Sequence, residues 1–145
     1  MTAVAPAGRD VVALTRIYHF SAAHRLSSPH LTPEENASLY GACHRTHGHN
    51  YYVEVTVRGT PDPVTGMAAD LGLLDETVTR GLIDRVDHRD LDLAVPDLGS
   101  VITTGENLAR AFWDVLSPRV NGLTRVAVVE TAKNRFEYRG EGGGP

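Results

Sequence analysis

The chain has 145 residues, with fourteen Lys and Arg against eighteen Asp and Glu, for a net charge of −4 with histidine neutral. That length suits one domain with a core of its own, and the acidic balance argues against a general nucleic-acid binder, which needs a basic footprint. No apolar run reaches membrane-spanning length, and Met1 to Asp10 lacks the apolar segment of a secretory signal, so a cytoplasmic protein is expected.

Residues 1–10 read as a loose tail, and the core is expected over about residues 12–140. A first strand is predicted at about 11–23, where Tyr18, Phe20, Ala22 and His24 fall on one face. A long polar connection follows from Arg25 to Cys43, with Ser27-Ser28-Pro29 and Thr32-Pro33-Glu34-Glu35-Asn36 inside it. Connections of that length in a compact domain are usually functional or disordered. A second strand covers about 47–59, since Val53, Val55 and Val57 alternate with polar residues before the turn-rich Gly59-Thr60-Pro61-Asp62-Pro63. A short strand is predicted near 66–70, pairing back on it.

Leu71, Leu74, Val78, Leu82 and Val86 form a helical stripe over 71–86 despite Gly81. Thr103 with Glu106 three residues later predicts a capping box opening a second helix, which Pro118 stops soon after Leu116. Strands at about 123–130 and 134–139 are expected as a hairpin around Ala132-Lys133-Asn134, before a Gly-rich end at 140–145. Segregated strands and two helices predict an α+β domain, an antiparallel sheet covered on one face. Such a sheet leaves edges, and joining subunits into a closed barrel is one way to remove them.

The chemistry concentrates around His47-Gly48-His49. Side chains two apart on a strand project together, so these imidazoles form half of a metal site, and His24 ends the other strand as a third. Three neutral imidazoles leave zinc an open coordination position, although residue type alone admits other divalent ions. Cys43, the single cysteine, has three readings: a buried inert thiol, a fourth ligand closing a structural site, or a base. His44 beside it is expected to be exposed. Asp87-His88 is either a solvated helix end or an imidazole polarised for proton transfer. Glu130, ending the apolar run Val126 to Val129, needs a partner, either an ion pair or a planar amidine-like ligand group. Arg25, Arg45, Lys133 (the one lysine) and Arg135 are possible phosphate contacts. Protease HExxH, P-loop, GxGxxG and deaminase motifs are absent from the sequence.

The ordered set Phe20-Ser21-Ala22-Ala23-His24-Arg25-Leu26, Cys43-x-x-x-His47-Gly48-His49-Asn50-Tyr51, Asp62-Pro63-x-Thr65-Gly66-Met67, Asp87-His88-Arg89-Asp90-Leu91-Asp92, Thr104-Gly105-Glu106-Asn107-Leu108-Ala109 and Val129-Glu130-Thr131 closely resembles the 6-pyruvoyl-tetrahydropterin synthase and 6-carboxy-tetrahydropterin synthase family. The resemblance implies a T-fold whose subunits close a barrel in threes, two trimers stacking into a homohexamer. It implies zinc on His24, His47 and His49, with Cys43 as the proton-abstracting base. Asp87 and His88 match the family's relay pair, which reaches the site across a subunit boundary. Glu130 matches the carboxylate that grips the pterin, with Thr104 and Glu106 at the same pocket. The implied substrate is 7,8-dihydroneopterin triphosphate. Gly105 stands where a hydroxyl residue or alanine is common, and Thr103 where proline is frequent.

The three-residue spacing between Cys43 and His47 resembles the carboxy branch, which releases triphosphate and acetaldehyde and feeds deazapurine (queuosine-type) synthesis; that branch is the favoured expectation. Asp87 to Asp92 and Asn50-Tyr51 are equally at home in the pyruvoyl branch, the alternative. A non-catalytic zinc-stabilised binding protein and a pterin-binding relative without turnover are the remaining rivals.

Overall fold

Two thirteen-residue strands, β1 (Val12–His24) and β2 (His47–Gly59), run antiparallel along their whole length and form the spine of the sheet. The computed structural model describes residues 10–94 and 102–141; the expected tails lie largely outside these residues. In chain order follow α1 (Pro33–Tyr40), a 3-10 turn (Gly41–His44), α2 (Leu71–Val78), a π-helical turn (Thr79–Ile83), α3 (Asp84–Val86), β3 (Arg89–Asp90), α4 (Leu91–Ala94), α5 (Gly105–Leu116), β4 (Leu123–Thr131) and β5 (Asn134–Tyr138). The sheet order is β3-β1-β2-β4-β5.

Alternation builds the core. Phe20 and Ala22 of β1, and Tyr51, Val53, Val55 and Val57 of β2, are buried beneath Val78, Leu82, Leu108 and Phe112 of the helical segments. Phe20 stacks on Tyr51 at 4.7 Å and meets Phe112 edge-on at 5.9 Å. Each such aromatic pair is worth about 0.5–1.5 kcal/mol beyond the area it buries. The other face carries Ser21, Asn50, Tyr52, Glu54 and Arg125; there Glu54 accepts from Arg125 at 2.9 Å and pairs with Arg135 at 3.0 Å.

Four expectations are corrected. The sheet is mixed, because β3 pairs parallel with β1 through Ala22 and Ala23. The Arg25–Cys43 connection contains α1, whose Thr32 and Glu35 form a reciprocal capping box, at 3.1 Å and 2.9 Å. This helix escapes an apolar-period search because its one buried residue is Asn36, which bonds Ser28 on both its donor and acceptor sides. The stretch 66–70 is not a strand: Asp62 binds Met67 and Gly66 across a tight turn, and Asp70 caps α2 by accepting from Leu73. Lastly, 71–86 is not one regular α-helix. Its apolar residues recur every four positions from Leu74 to Val86, a spacing that drifts about 40° per step in an α-helix. The π turn counters that drift, so Leu82 and Val86 are fully buried along with Val78. No described helix is long and apolar enough to cross a membrane.

Candidate metal centre

The β1–β2 register pairs His24 with His47 and Ala22 with His49, so three imidazoles meet at one end of the strand pair. Ring centroids are 4.6 Å apart for His24–His47, 5.2 Å for His24–His49 and 4.9 Å for His47–His49. One ring nitrogen from each lies within 4.8 Å of the other two, the only such His, Cys, Asp or Glu group among the described residues. Gly48 between them pairs with Ala23 and keeps the intervening position free of a side chain.

Neighbouring carbonyls orient two of the rings. Nδ1 of His24 lies 3.0 Å from the carbonyl oxygen of Thr103, and Nδ1 of His47 lies 2.7 Å from that of Arg45. A carbonyl only accepts, so both Nδ1 atoms carry the hydrogen and both Nε2 atoms keep a lone pair. The Tyr51 hydroxyl, two residues beyond His49 on the same face, sits 3.3 Å from Nε2 of His24. Nε2 of His49 is buried with no hydrogen-bond partner. Burial first, and then neighbouring His47, hold His24 below the ordinary histidine pKa. Burial likewise lowers His49, against the opposing pull of Glu130. Three converging imidazoles, two of them held toward the neutral form by burial and one with a buried nitrogen lacking any partner, fit a divalent cation.

Glu130 lies beside this cluster, its carboxylate 3.9 Å from Nε2 of His49. The β4–β5 register shifts between Val129 and Thr131, so Glu130 sits at a bulge, which frees its side chain from the regular alternation. Cys43 is exposed on the 3-10 turn and outside the three-imidazole group. That removes both the buried-thiol and fourth-ligand readings. Its carbonyl accepts from Leu26 N at 2.8 Å, and Nδ1 of His44 donates to Leu26 O at 2.9 Å, which ties the turn to the exit of β1. His44 is therefore half-buried and engaged, not the exposed residue expected.

Asp87 and His88 do not join the cluster within one chain. Asp87 accepts from the Ser21 amide at 2.9 Å, and the His88 amide donates to Ser21 O at 2.6 Å. His88 adopts a left-handed φ of 59° and its side chain is 83% exposed, with Nδ1 3.0 Å from Asp87. The Ser21 hydrogen bond holds the Asp87 carboxyl below its usual range. His88 borders a shallow groove with Ser21, Ala23, Gly48, His49 and Asn50.

At the start of α5 the cap is Thr104, which accepts from Asn107 N at 3.3 Å; the expected Thr103–Glu106 box does not form. Thr103 is fully buried, committed to His24, and Glu106 is exposed in the first helical turn. Of the possible phosphate contacts, Arg135 is held by Glu54, while Arg25, Arg45 and Lys133 are exposed. Sequence reasoning missed Thr103 and Tyr51 as neighbours of the imidazoles. Tyr51 had a signal, the period-two spacing from His49; Thr103 had none.

Comparison with known proteins supplies the remaining observations. The family described as 6-pyruvoyl tetrahydropterin synthase matches residues 13–141. A 6-pyruvoyl tetrahydrobiopterin synthase from Poecilia reticulata is 42% identical over 140 residues, covering 94% of this chain and 95% of that protein. The structure of Caenorhabditis elegans 6-pyruvoyl tetrahydropterin synthase superposes with a TM-score of 0.84 at 38% identity, covering 90% of this chain and 96% of that one. A 6-carboxy-5,6,7,8-tetrahydropterin synthase from Aquifex aeolicus (strain VF5) is 28% identical over 159 residues, covering 88% and 98%.

Proposed function

Because the chain belongs to the 6-pyruvoyl tetrahydropterin synthase family, we propose that it is a zinc-dependent lyase converting 7,8-dihydroneopterin triphosphate to 6-pyruvoyl-tetrahydropterin. The observation that carries the metal assignment is the buried, unpartnered Nε2 of His49 grouped with two imidazoles whose tautomers leave Nε2 unprotonated. His24, His47 and His49 would hold the ion, which supplies Lewis-acid stabilisation of negative charge developing on the substrate's side-chain oxygens.

The chain's own residues do the rest. The Cys43 thiolate takes a proton from the substrate side chain, and its exposed position on the turn gives substrate access to it. Electrons released by that deprotonation leave with the triphosphate as its carbon–oxygen bond breaks, and an internal redox isomerisation then oxidises the remaining side-chain alcohol while reducing the dihydropterin ring, giving the diketo side chain on a tetrahydropterin. His88, polarised by Asp87, returns protons. Glu130 accepts two hydrogen bonds from the pterin's guanidine-like edge. Thr104 and Glu106 border that pocket from the α5 terminus.

The family resemblance implies that His88 reaches the metal centre from a second subunit, and within one chain it lies outside the three-imidazole group. We therefore assign the active form as a homohexamer, a dimer of trimers whose short β3 edge and β5 edge pair between copies to close a barrel. A cytoplasmic location accords with the lone thiol.

The carboxy branch favoured by the Cys43–His47 spacing gives way, as 42% identity to a pyruvoyl enzyme outweighs 28% to a carboxy enzyme. The spacing falls in a surface turn outside the strand pairing, where insertions are tolerated. That same spacing is the one observation favouring the second reading. Incubating the zinc-loaded protein with dihydroneopterin triphosphate decides between them. A pyruvoyl product without acetaldehyde, lost on chelation and restored by zinc, is expected; acetaldehyde release overturns the branch, and no turnover overturns the enzyme.

A further inference from the structure

Asp92 touches two points on the support of His24. Its Oδ1 accepts from the Thr103 hydroxyl at 2.8 Å, and its Oδ2 accepts from the Arg25 amide, the residue after His24, at 2.9 Å. The Asp92 amide in turn donates to Asp90 at 2.9 Å, fixing the start of α4 beneath it. Thr103 Oγ1 lies 3.1 Å from Nδ1 of His24, next to the Thr103 carbonyl on the same nitrogen. His24 and Thr103 are both excluded from solvent, at 1% and 0% exposure, so no water substitutes for a lost partner.

The donor count has one consistent solution. A carboxylate only accepts, so Asp92 commits the hydrogen of the Thr103 hydroxyl. Oγ1 is left with lone pairs toward His24, and the ring nitrogen sees two acceptors. Nδ1 then carries the hydrogen and Nε2 the lone pair. Without Asp92 the hydroxyl is free to turn its hydrogen onto Nδ1, which favours the opposite tautomer and blocks Nε2. We propose that Asp92 and Thr103 are positioning residues that lock His24 in its Nδ1–H tautomer and thereby set the affinity of the three-imidazole site for zinc. This rests on the metal-centre reading given above. This hydrogen-bonded path links α4, the entry of α5 and the end of β1.

The test uses the full chain stripped of metal, with zinc affinity measured by competition against a chromophoric chelator. Long-range ¹H–¹⁵N spectra of the imidazoles in the metal-free protein read the tautomer directly. Asp92→Asn leaves one of the two donors facing an amide NH₂, and Thr103→Val deletes the hydroxyl at nearly constant shape. Each is expected to weaken zinc binding by about tenfold, the low end for outer-sphere partners of a ligating histidine, and the double variant by no more than the worse single one. His24 shifts from pure Nδ1–H toward a tautomer mixture in Asp92→Asn, where the released Thr103 hydroxyl can donate to Nδ1; in Thr103→Val the Thr103 carbonyl still accepts and Nδ1–H persists. Thr103→Ser, which keeps the hydroxyl, retains wild-type affinity and separates this role from packing. Wild-type protein that binds no zinc overturns the metal centre, while its His24 spectrum still judges the tautomer lock. An Asp92→Asn protein that binds zinc within about twofold of wild type, with His24 unchanged, overturns the lock alone. If both variants fail to fold, Nε2–H on wild-type His24 overturns it as well.

Discussion

Replacing Cys43 by alanine separates an open metal site from a closed one. The Cys43 side chain is exposed and lies outside the three-imidazole group, while its structural link runs through its backbone carbonyl to Leu26. Alanine keeps that backbone bond. An exposed side chain without a packing role changes stability by at most about 0.5 kcal/mol. For a domain of this size that moves Tm by no more than about 2 °C. Zinc content is expected to stay at one per chain, because the three nitrogens remain. Losing a positioned proton-transfer group costs about 10²–10⁴ in rate. At ~1.4 kcal/mol per decade this raises the barrier by about 3–6 kcal/mol, falling on kcat with KM little changed. Elemental analysis, calorimetry and steady-state assay of pyruvoyl product on one preparation give all three numbers. A variant that loses zinc and melts together would refute the reasoning, since that is the behaviour of a fourth ligand in a structural site.

If, as proposed, one site draws Cys43 and His88 from different copies, mixing inactive Cys43→Ala and His88→Ala proteins under subunit exchange should restore activity to about a quarter of the sites; no recovery would show that His88 serves its own chain or none. Gly105→Ser should destabilise the protein by about 1–3 kcal/mol through overpacking, since a Cβ there would sit 2.0 Å from the Phe136 ring. Adding Phe136→Ala should recover part of that loss, and strictly additive losses in a double-mutant cycle would exclude the clash. Asp75 accepts from Arg16 at 3.0 and 2.9 Å and from Tyr18 at 2.8 Å, and the Arg16 hydrogen bonds, ahead of Tyr18, hold its carboxyl below 3.8. A folded-state pKa below the unfolded value means the stabilisation is complete above pH 3.8 and disappears as pH falls through the lower folded value. The Tm gap between wild type and Asp75→Asn should therefore be constant near neutrality and close on acidification; a gap that widens in acid would reverse the sign.

Period-two alternation made β1 and β2 readable, and with them the convergence of His24, His47 and His49, since a strand sends every second residue to the same side. In α5, Leu108, Ala111, Phe112 and Val115 recur at helical period and are buried, so that helix was readable for the matching reason. The helix inside 25–43 was missed although Thr32-Pro33-Glu34-Glu35 carries its start signal, because Asn36 rather than an apolar residue anchors it. The Thr103–Glu106 box was a sequence match to the right motif one residue out of place. Thr103 had been claimed by His24, and Thr104 caps instead.

Local spacing along the chain thus determined which imidazoles share a strand face. Only the tertiary structure decided what lies behind those rings. Thr103 comes to His24 across 79 positions, and Asp92 to Arg25 across 67. The π turn, the parallel β3 and the bulge at Glu130 also answer to packing between segments. Hydrogen-bond partners so distant in sequence leave no periodic trace, because their meeting is set by how the sheet and helices close on one another.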